Sequence, residues 1–582
     1  MPEAGQPVAS APAQTAAVAA QMRRAADRRL AWAWGTALFA VAVIVLWIAY
    51  LHVSRTQRVE SDGASNALQA WDMLHGNLLM RGWTVTDVSF YTTELPQYTI
   101  VEAIRGLNAD VLHVAAALSY ALLVPLAAVL AKGSAANGGA TGREAVVRMV
   151  IAAGILAAPE PGAGVFIVLF QPDHIGTQVP MLLTWLVLDR APRRWYTPVL
   201  MGILLTWIGI ADKIVLLIGV LPLVLVCAAR ALRAWRHTMP WRDMPRQAWR
   251  PDGLRTVWFE ISLAVAAVLS YPVTEIVVKL IHALGGYTVL PVGTGLASPG
   301  QLPTHIRLAT DGILGLYGAN FQGPPHGWDL VFAMLHLVGV ALAIWGLWLA
   351  FRRFFRADDI IAQVLAVSIV LNIGAYLLSG KPSAYWSVRE MAGVLPAGAV
   401  LAGRMVGPLL ARGLTDHARL GERARLGARR LYTALVTALA IVLAGYLAAL
   451  GYAASKPPVP GVGQDLAGWL SQHGLTYGLA EYGLANSTTL AAGNNVAIRP
   501  VVTLPSRLAP GPHEFDVNWY DPRAHNATFV VLLNSPAQLD YMTMAQATAG
   551  FGPPAHVYHY KIYEILTWNK NILTELGPPA PD

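Results

Sequence analysis

The amino-acid sequence predicts a polytopic α-helical membrane protein that ends in a small α/β domain. Of its 582 residues, 55% are hydrophobic and 13% are charged, whereas soluble proteins carry roughly 25% charged residues. Long apolar segments recur as far as Tyr452, and after that residue short strand-like stretches alternate with Gly, Pro and Asn turns. Most of the chain is therefore expected to lie in a lipid bilayer.

The apolar segments set the number of predicted spans. A bilayer core of about 30 Å requires about 20 apolar residues at about 1.5 Å per residue. The segment after Arg28 and Arg29 meets this requirement without a charge, and about eleven such segments can be counted. The predicted spans are Ala31–Leu51, Leu112–Ala131, Ala145–Leu169, Gly176–Leu188, Thr197–Ile210, Ile214–Ala229, Val257–Ile281, Leu330–Phe351, Ile360–Leu378, Val388–Met405 and Leu431–Tyr452.

Basic residues predict the orientation, because cytoplasmic loops accumulate Lys and Arg. Basic groups precede the first span and follow every second span, and they begin at Arg23, Lys132, Arg190, Arg230, Arg352 and Arg404. An odd number of spans then places the N-terminus in the cytoplasm and the C-terminus outside. Residues 1–30 are predicted to be a disordered cytoplasmic tail, 31–452 the transmembrane domain and 453–582 an extracytoplasmic α/β domain. The abundance of Ala, Gly and Arg favours a bacterial plasma membrane, although an endoplasmic reticulum protein would have the same topology.

Composition also excludes some classes of function. The net charge of +8 is divided among short clusters, and these do not form a single basic face that could follow the phosphate backbone of a nucleic acid. No nucleic-acid partner is therefore expected. The single cysteine, Cys227, excludes an intramolecular disulfide framework and a zinc cluster. In the C-terminal domain the predicted strands are Thr476–Leu479, Asn495–Val502, Thr528–Leu533 and Val557–Ile565.

Function is expected in two long outward loops, residues 52–110 and 282–329, which are rich in aromatic residues, Pro and Gly. Glu60 and Asp62 follow the first span directly and precede an amphipathic run. A carboxylate held at the membrane surface could act as a general base on an acceptor hydroxyl. Alternatively, Asp62 caps a helix that starts at Gly63 or Ala64.

This layout resembles the C-type (GT-C) glycosyltransferase superfamily, which includes protein O-mannosyltransferases, the lipid A aminoarabinose transferase and mycobacterial arabinosyltransferases. The shared features are an acid just beyond the first span, a surface helix behind it, about eleven spans and an external C-terminal domain. The resemblance implies transfer of a hexose or pentose from a polyprenyl-phosphate donor to a hydroxyl of a glycan, lipid or protein, with Asp62 as the catalytic acid. Some relatives carry an Asp-Glu doublet, where this chain has Glu60-Ser61-Asp62.

Further residues could take part in such a site. Glu60, Glu94 and Asp173 are candidates for a second acid. Asp62, Asp173 and His174 could bind a divalent cation such as Mg²⁺ or Mn²⁺, although no ligand spacing supports a metal and no other cofactor is expected. The candidates for binding the donor phosphate are Arg389, Lys381, Arg307 and His305.

Arg389 is the strongest of these cations, since a guanidinium binds phosphate oxygens through paired donors. It is equally compatible with an ordinary residue at a helix end. We expect Asp212 to pair with Lys213, and Glu275 with Lys279. Six residues of the C-terminal domain could either contact an acceptor or form the core and turns of a small fold, and no catalytic role is expected for them: Tyr477, Glu481, Tyr482, Asn486, Arg499 and Trp519. Two other functions remain open: a transporter or lipid flippase, and a non-catalytic membrane scaffold.

Overall fold

The computed structural model describes residues 11–134, 139–160, 168–169, 174–238, 251–291, 295–323, 327–356, 358–413, 422–505, 507–511, 513–534 and 542–580. Its α-helices are α1 (Ala11–Ser54), α2 (Ser61–Leu74), α3 (Leu95–Arg105), α4 (Asp110–Lys132), α5 (Gly142–Ala157), α6 (Ile175–Arg190), α7 (Tyr196–Ala211), α8 (Leu221–Thr238), α9 (Pro251–Ala283), α10 (Leu302–Leu316), α11 (Trp328–Arg352), α12 (Ile360–Leu378), α13 (Val394–Leu401), α14 (Gly407–Gly413), α15 (Glu422–Ala454), α16 (Gln464–Gln472), α17 (Tyr482–Ala491) and α18 (Met544–Phe551). Its strands are β1 (Trp83–Val85), β2 (Thr288–Val289), β3 (Tyr477–Ala480), β4 (Ala497–Leu504), β5 (Arg507–Pro510), β6 (Phe515–Asp516), β7 (Phe529–Leu533), β8 (His556–Tyr560) and β9 (Tyr563–Thr567).

Eight helical segments in the described part of the chain are long and apolar enough to cross a membrane. They are Ala33–Ser54, Asp110–Lys132, Leu216–Arg236, Leu254–Ala283, Trp328–Arg352, Ile360–Leu378, Val394–Arg412 and Thr433–Ala454. The other three predicted spans contain α5, α6 and α7, which have 16 residues each and are therefore only about 24 Å long.

Three boundaries differ from the predicted ones. Helix α1 begins at Ala11, inside the segment predicted to be disordered, in keeping with the high helix propensity of its Ala-rich sequence; residues 1–10 lie outside the described residues. Helix α5 ends at Ala157, just before Pro159, and not at Leu169. The tenth predicted span starts late, because residues 385–391 form a separate 3₁₀ helix ahead of α13.

The C-terminal domain is built on a six-stranded sheet with the order β5-β4-β3-β7-β9-β8. Strand β3 runs parallel to β4 and β7, and the other pairs are antiparallel. The predicted strand Val557–Ile565 is two strands, β8 and β9, joined by a tight turn in which Lys561 has φ 54°. Apolar clusters lie on both faces of the sheet, so the predicted α/β domain is confirmed.

A second, three-stranded sheet joins segments that are distant in sequence. Strand β1 from the 52–110 loop pairs in parallel with β2 from the 282–329 loop and antiparallel with β6 from the C-terminal domain. Helix α2 of the first loop also packs against α17 of the C-terminal domain. Both loops and this domain therefore meet on one side of the helical bundle.

Candidate functional site

Asp62 lies at the start of α2, where both alternatives predicted from the sequence can be compared with the structure. Helix α2 begins at Ser61, and its N-cap residue is Glu60, which makes no side-chain capping bond. Asp62 is therefore inside the first turn, and the capping hypothesis is wrong. Its negative charge there still interacts favourably with the positive end of the helix dipole.

The carboxylate of Asp62 contacts the C-terminal domain directly. The hydroxyl of Tyr482, the first residue of α17, donates a hydrogen bond to Asp62 Oδ1 at 2.8 Å. The same hydroxyl also contacts Glu514 Oε2. Burial, and then the nearby charges of Glu514 and Asp62, raises the pKa of Tyr482 well above its ordinary value, so the phenol remains protonated. No catalytic role is predicted for Tyr482 from the sequence, and the structure shows that its hydroxyl reaches the candidate catalytic carboxylate.

The other carboxylate oxygen of Asp62 faces a cation. Arg389, in the 3₁₀ helix, places Nη1 3.7 Å from Asp62 Oδ2, and the two side chains are 35% and 37% exposed. Lys381 places Nζ 3.1 Å from Asp87 Oδ2, on the first loop. Two of the four predicted phosphate-binding cations therefore lie next to carboxylates of the first loop.

His174 links this site to the helical bundle. Its Nδ1 lies 2.7 Å from Asp212 Oδ2, and its Nε2 lies 3.2 Å from Glu390 Oε2. An imidazole ring can donate a hydrogen bond to a carboxylate from each of its two nitrogens only when it is a cation with two N–H groups. Burial opposes this charge, but Asp212 and then Glu390 outweigh it, and the pKa of His174 is raised well above its ordinary value. Because Glu390 adjoins Arg389, His174 supports the chain segment that carries the guanidinium.

Glu94, a candidate second acid, is buried beside this network. Burial is the main cause of its raised pKa, which is about 8. Its carboxylate accepts a hydrogen bond from Thr93, and its Oε1 packs so close to Gly176 that a Cβ there would overlap it. Glu94 is therefore mostly neutral at pH 7 and is enclosed behind His174.

The remaining predicted residues are elsewhere. His305 is buried, and its Nδ1 faces the Leu377 carbonyl at 3.1 Å. Arg307 is exposed on the same helix, α10. The structure therefore does not bring these two cations to Asp62. Asp173 lies outside the described residues.

Glu60 lies next to the site. Two of the three candidate metal ligands, Asp62 and His174, are among the described residues. Glu60 lines the same cavity as Asp62. No group of three or more His, Cys, Asp or Glu side chains suited to a metal ion occurs among the residues that the structure describes. Both ring nitrogens of His174 already face carboxylates.

Asp62 lies between two cavities. One, of about 990 Å³, separates the start of α2 from the C-terminal domain and includes Arg58, Glu60, Asp465, Lys561 and Tyr563 in its lining. The other, of about 80 Å³, lies towards the bundle and includes Asn66, Asp87, His174, Arg389, Glu390, His513 and Glu514. Glu390 also lines a third cavity, of about 200 Å³, together with Lys381, Tyr376 and Ile214.

Two pairings expected from neighbouring residues are wrong. Asp212 bonds to His174 and to Thr177 Oγ1, not to Lys213. Lys213 instead places Nζ 3.2 Å from Glu275 Oε1, so Glu275 has Lys213 as a partner where Lys279 was expected. In both cases, tertiary packing places a charge that is distant in sequence closer to the carboxylate than the lysine that is near in sequence.

Sequence reasoning also missed several residues of the site. Asp62 and Tyr482 are 420 positions apart, and the sequence between them has no pattern that would connect them. Glu514 and His513 occur in a turn without a recognisable motif, and Glu390 is a single acid next to Arg389. The only available signal was an acid next to the predicted phosphate-binding arginine.

Comparison with protein-family models and with curated proteins finds no match. Among solved structures, the chain is similar to ArnT from Cupriavidus metallidurans in the apo state, with 14% identity and a TM-score of 0.50 over 94% of this chain and 100% of that chain. The same protein bound to undecaprenyl phosphate gives a TM-score of 0.49 at 14% identity, over 93% and 99% of the two chains. The archaeal oligosaccharyltransferase AglB from Archaeoglobus fulgidus, in complex with an inhibitory peptide and a dolichol-phosphate, gives 0.41 at 14% identity, over 86% and 69%.

The match to apo ArnT extends over nearly the full length of both chains and therefore concerns the whole architecture, not one helical segment. ArnT is a GT-C aminoarabinose transferase. The bundle, the first loop with its surface helix and the C-terminal domain accordingly form the C-type glycosyltransferase fold, as the layout of the sequence predicts.

Proposed function

We propose that this protein is a membrane glycosyltransferase that transfers a sugar from a polyprenyl-phosphate donor to a hydroxyl group of an acceptor outside the cytoplasm. The observation that carries the proposal is the position of Asp62. Its carboxylate lies between a cavity beside the C-terminal domain and a cavity that contains Arg389. A base between a nucleophile site and a phosphate site is what glycosyl transfer to a hydroxyl requires. The shared fold with ArnT agrees with this reaction class.

The donor enters on the side of the bundle. The third cavity is lined by Ile214, Tyr376 and Lys381, and it shares Glu390 with the cavity next to Asp62. A lipid-linked phosphate following this route meets Lys381 first and Arg389 second. Since the inner cavity is only about 80 Å³, we expect the phosphate to displace Asp62 from Arg389 as it enters.

This exchange prepares the base. While Arg389 faces Asp62, the guanidinium occupies one oxygen of the carboxylate and keeps that oxygen from an acceptor hydroxyl. Once Arg389 binds the donor phosphate, Asp62 can accept the proton of an acceptor hydroxyl in the large cavity. The acceptor oxygen then bonds to the anomeric carbon while the bond from that carbon to the phosphate oxygen breaks. Arg389 stabilises the negative charge of the departing phosphate.

The test is the release of polyprenyl phosphate by purified protein in liposomes. Polyprenyl-phosphate-linked hexoses and pentoses are supplied as donors, with extracted envelope lipids and glycans as acceptors. Asp62→Asn should lower the rate by about 10²- to 10⁴-fold, the usual contribution of a general base. The protein should remain folded and inserted.

Asp329→Asn is the matched control. Asp329 is a half-exposed carboxylate at the start of α11, 3.8 Å from Lys456, and its loss should leave the rate unchanged. Full activity of Asp62→Asn would overturn the assignment. Donor movement across the membrane without bond cleavage would instead support a flippase, and the absence of both reactions with every donor would support a scaffold.

A further inference from the structure

The contact between Asp62 and Tyr482 joins the two halves of the proposed site. Tyr482 is the first residue of α17 in the C-terminal domain, and its hydroxyl is hydrogen-bonded to Asp62 Oδ1 at 2.8 Å. Arg389 approaches the other oxygen of the same carboxylate at 3.7 Å. A carboxylate contacted at both oxygens has a defined orientation, and the C-terminal domain supplies one of these two contacts.

The position of the phenol is itself secured by surrounding groups. Ser61 Oγ, next to Asp62, donates a hydrogen bond to the Tyr482 carbonyl. The ring of His513 lies 4.6 Å from the Tyr482 ring, centroid to centroid. The Glu514 carbonyl accepts bonds of 3.4 Å from Ser65 Oγ of α2 and from Asn486 Nδ2 of α17. The contact therefore belongs to a packed junction between α2 and α17.

The chemistry of the phenol indicates its role. A tyrosine hydroxyl has one proton, and here it lies between the carboxylates of Asp62 and Glu514. When it donates to Asp62 Oδ1, it fixes the direction of that carboxylate, whose Oδ2 then faces Arg389. The charged and titratable groups that face it are Asp62 on α2, Glu514 and His513 before β6, and Arg389 beyond Asp62.

We propose that Tyr482 is a positioning residue for the transfer reaction: it orients the Asp62 carboxylate, so that the site is complete only when the C-terminal domain is docked on α2. This inference rests on the proposed function, because it assigns Tyr482 an effect on the base that the function requires. It also gives the domain a part in catalysis in addition to forming one wall of the large cavity.

The experiment compares Tyr482→Phe, Glu514→Gln and Tyr477→Phe in the polyprenyl phosphate release assay. Tyr482→Phe removes only the hydroxyl. It should lower kcat by about 10- to 100-fold, which corresponds to the loss of a hydrogen bond to a charged group. The KM for the donor should change little, because Arg389 and Lys381 are intact.

The two other variants separate positioning from stability. Tyr477→Phe removes a phenol hydroxyl of the C-terminal domain that donates a 2.7 Å hydrogen bond to the Trp519 carbonyl and accepts one of 3.4 Å from Arg499 Nε, without touching Asp62. It should leave kcat and the KM for the donor unchanged. Glu514→Gln removes the second carboxylate that competes for the phenol proton, and it should lower kcat less than Tyr482→Phe does, because the hydrogen bond to Asp62 remains.

The outcomes distinguish this inference from the proposed function. If Asp62→Asn is inactive but Tyr482→Phe has the wild-type kcat, the positioning role is overturned and the proposed function stands. If Tyr482→Phe and Tyr477→Phe lower kcat equally, the effect is one of domain stability, and the positioning role is again overturned. If Asp62→Asn is fully active, the assignment of the base fails, and the inference fails with it.

Discussion

The protein contains two arginine–carboxylate clusters that differ in how closed they are. In the buried cluster, Arg404 lies 3.0 Å from Asp189 and 2.9 Å from Asp359, and it donates to the Leu130 carbonyl at 2.7 Å. The Arg404 and Asp189 side chains are 1% and 0% exposed. In the open cluster, Arg389 lies 3.7 Å from Asp62, and both side chains are about one third exposed.

The two clusters lie at opposite ends of the bundle. Asp110, the first residue of α4, pairs with Arg55 near the start of α2. Leu130 is 20 residues further along α4, which corresponds to roughly 30 Å. The buried cluster therefore lies far from Asp62. Arg404 is the first residue of the basic group at the end of the tenth predicted span, and it lies inside the helical segment Val394–Arg412.

The difference indicates separate roles. A buried guanidinium that is satisfied by two carboxylates and a carbonyl cannot exchange partners without exposing charges to a low-dielectric interior. The Arg389–Asp62 pair lies beside a cavity, is about one third exposed and is separated by 3.7 Å. Replacing one partner of such a pair costs little free energy. The first arrangement suits a structural connection among α4, α6, α12 and the π-helical turn at 402–406. The second suits a site that binds an incoming phosphate.

The largest effect on stability is expected at the buried cluster. Arg404→Met leaves two buried carboxylates without their cation, which should lower the free energy of unfolding by about 3–5 kcal/mol. A lower midpoint of thermal unfolding in detergent would show this. Arg190→Met is the control, because Arg190 is exposed at the end of α6 and should shift the midpoint little. Equal midpoints for both variants would contradict the structural role of the buried cluster.

A smaller effect, on binding instead of stability, is expected at the open cluster. Arg389→Met should weaken the binding of undecaprenyl phosphate by about 10- to 100-fold, because a hydrogen-bonded contact with a charged group is lost. The unfolding midpoint should remain near the wild-type value. Arg307→Met, the same substitution at an exposed position of α10, should bind normally. Unchanged binding by Arg389→Met would refute the assigned phosphate contact.

Lys381 should contribute less than Arg389. Its ammonium faces Asp87 at 3.1 Å in a partly exposed pair, and such contacts contribute up to about 1 kcal/mol. Lys381→Met should therefore weaken undecaprenyl phosphate binding by about three- to fivefold, as measured by titration in detergent. A loss as large as that of Arg389→Met would reverse the proposed order of the two cations along the donor route.

Glu94→Gln should have the smallest effect on activity near pH 7. Because burial raises the pKa of Glu94 from 4.5 to about 8, the folded protein holds a proton there that the unfolded chain releases above pH 4.5. This group therefore makes stability decrease as the pH rises from 4.5 to 8. The variant should keep activity near pH 7 and have a flatter dependence of the unfolding midpoint on pH over this range. A large loss of activity at pH 7 would instead indicate that Glu94 acts as a charged acid.

Much of the architecture could be predicted, because burial in lipid leaves a strong local signal. About 20 apolar residues in a row indicate a helix that can span a membrane wherever they occur. The strands β3, β4 and β7 were found from short apolar stretches between turns. The two-residue strands β2 and β6 were missed, because partners from two distant segments stabilise them.

The sequence by itself determined the membrane character, the presence of a C-terminal α/β domain and an acid immediately after the first span. Each of these follows from local composition, which acts through the solvation of neighbouring residues. Only the tertiary structure decided which charges meet: Asp62 with Tyr482 and Arg389, and His174 with Asp212 and Glu390. Contacts between side chains hundreds of residues apart depend on how helices pack, and no local pattern records that packing.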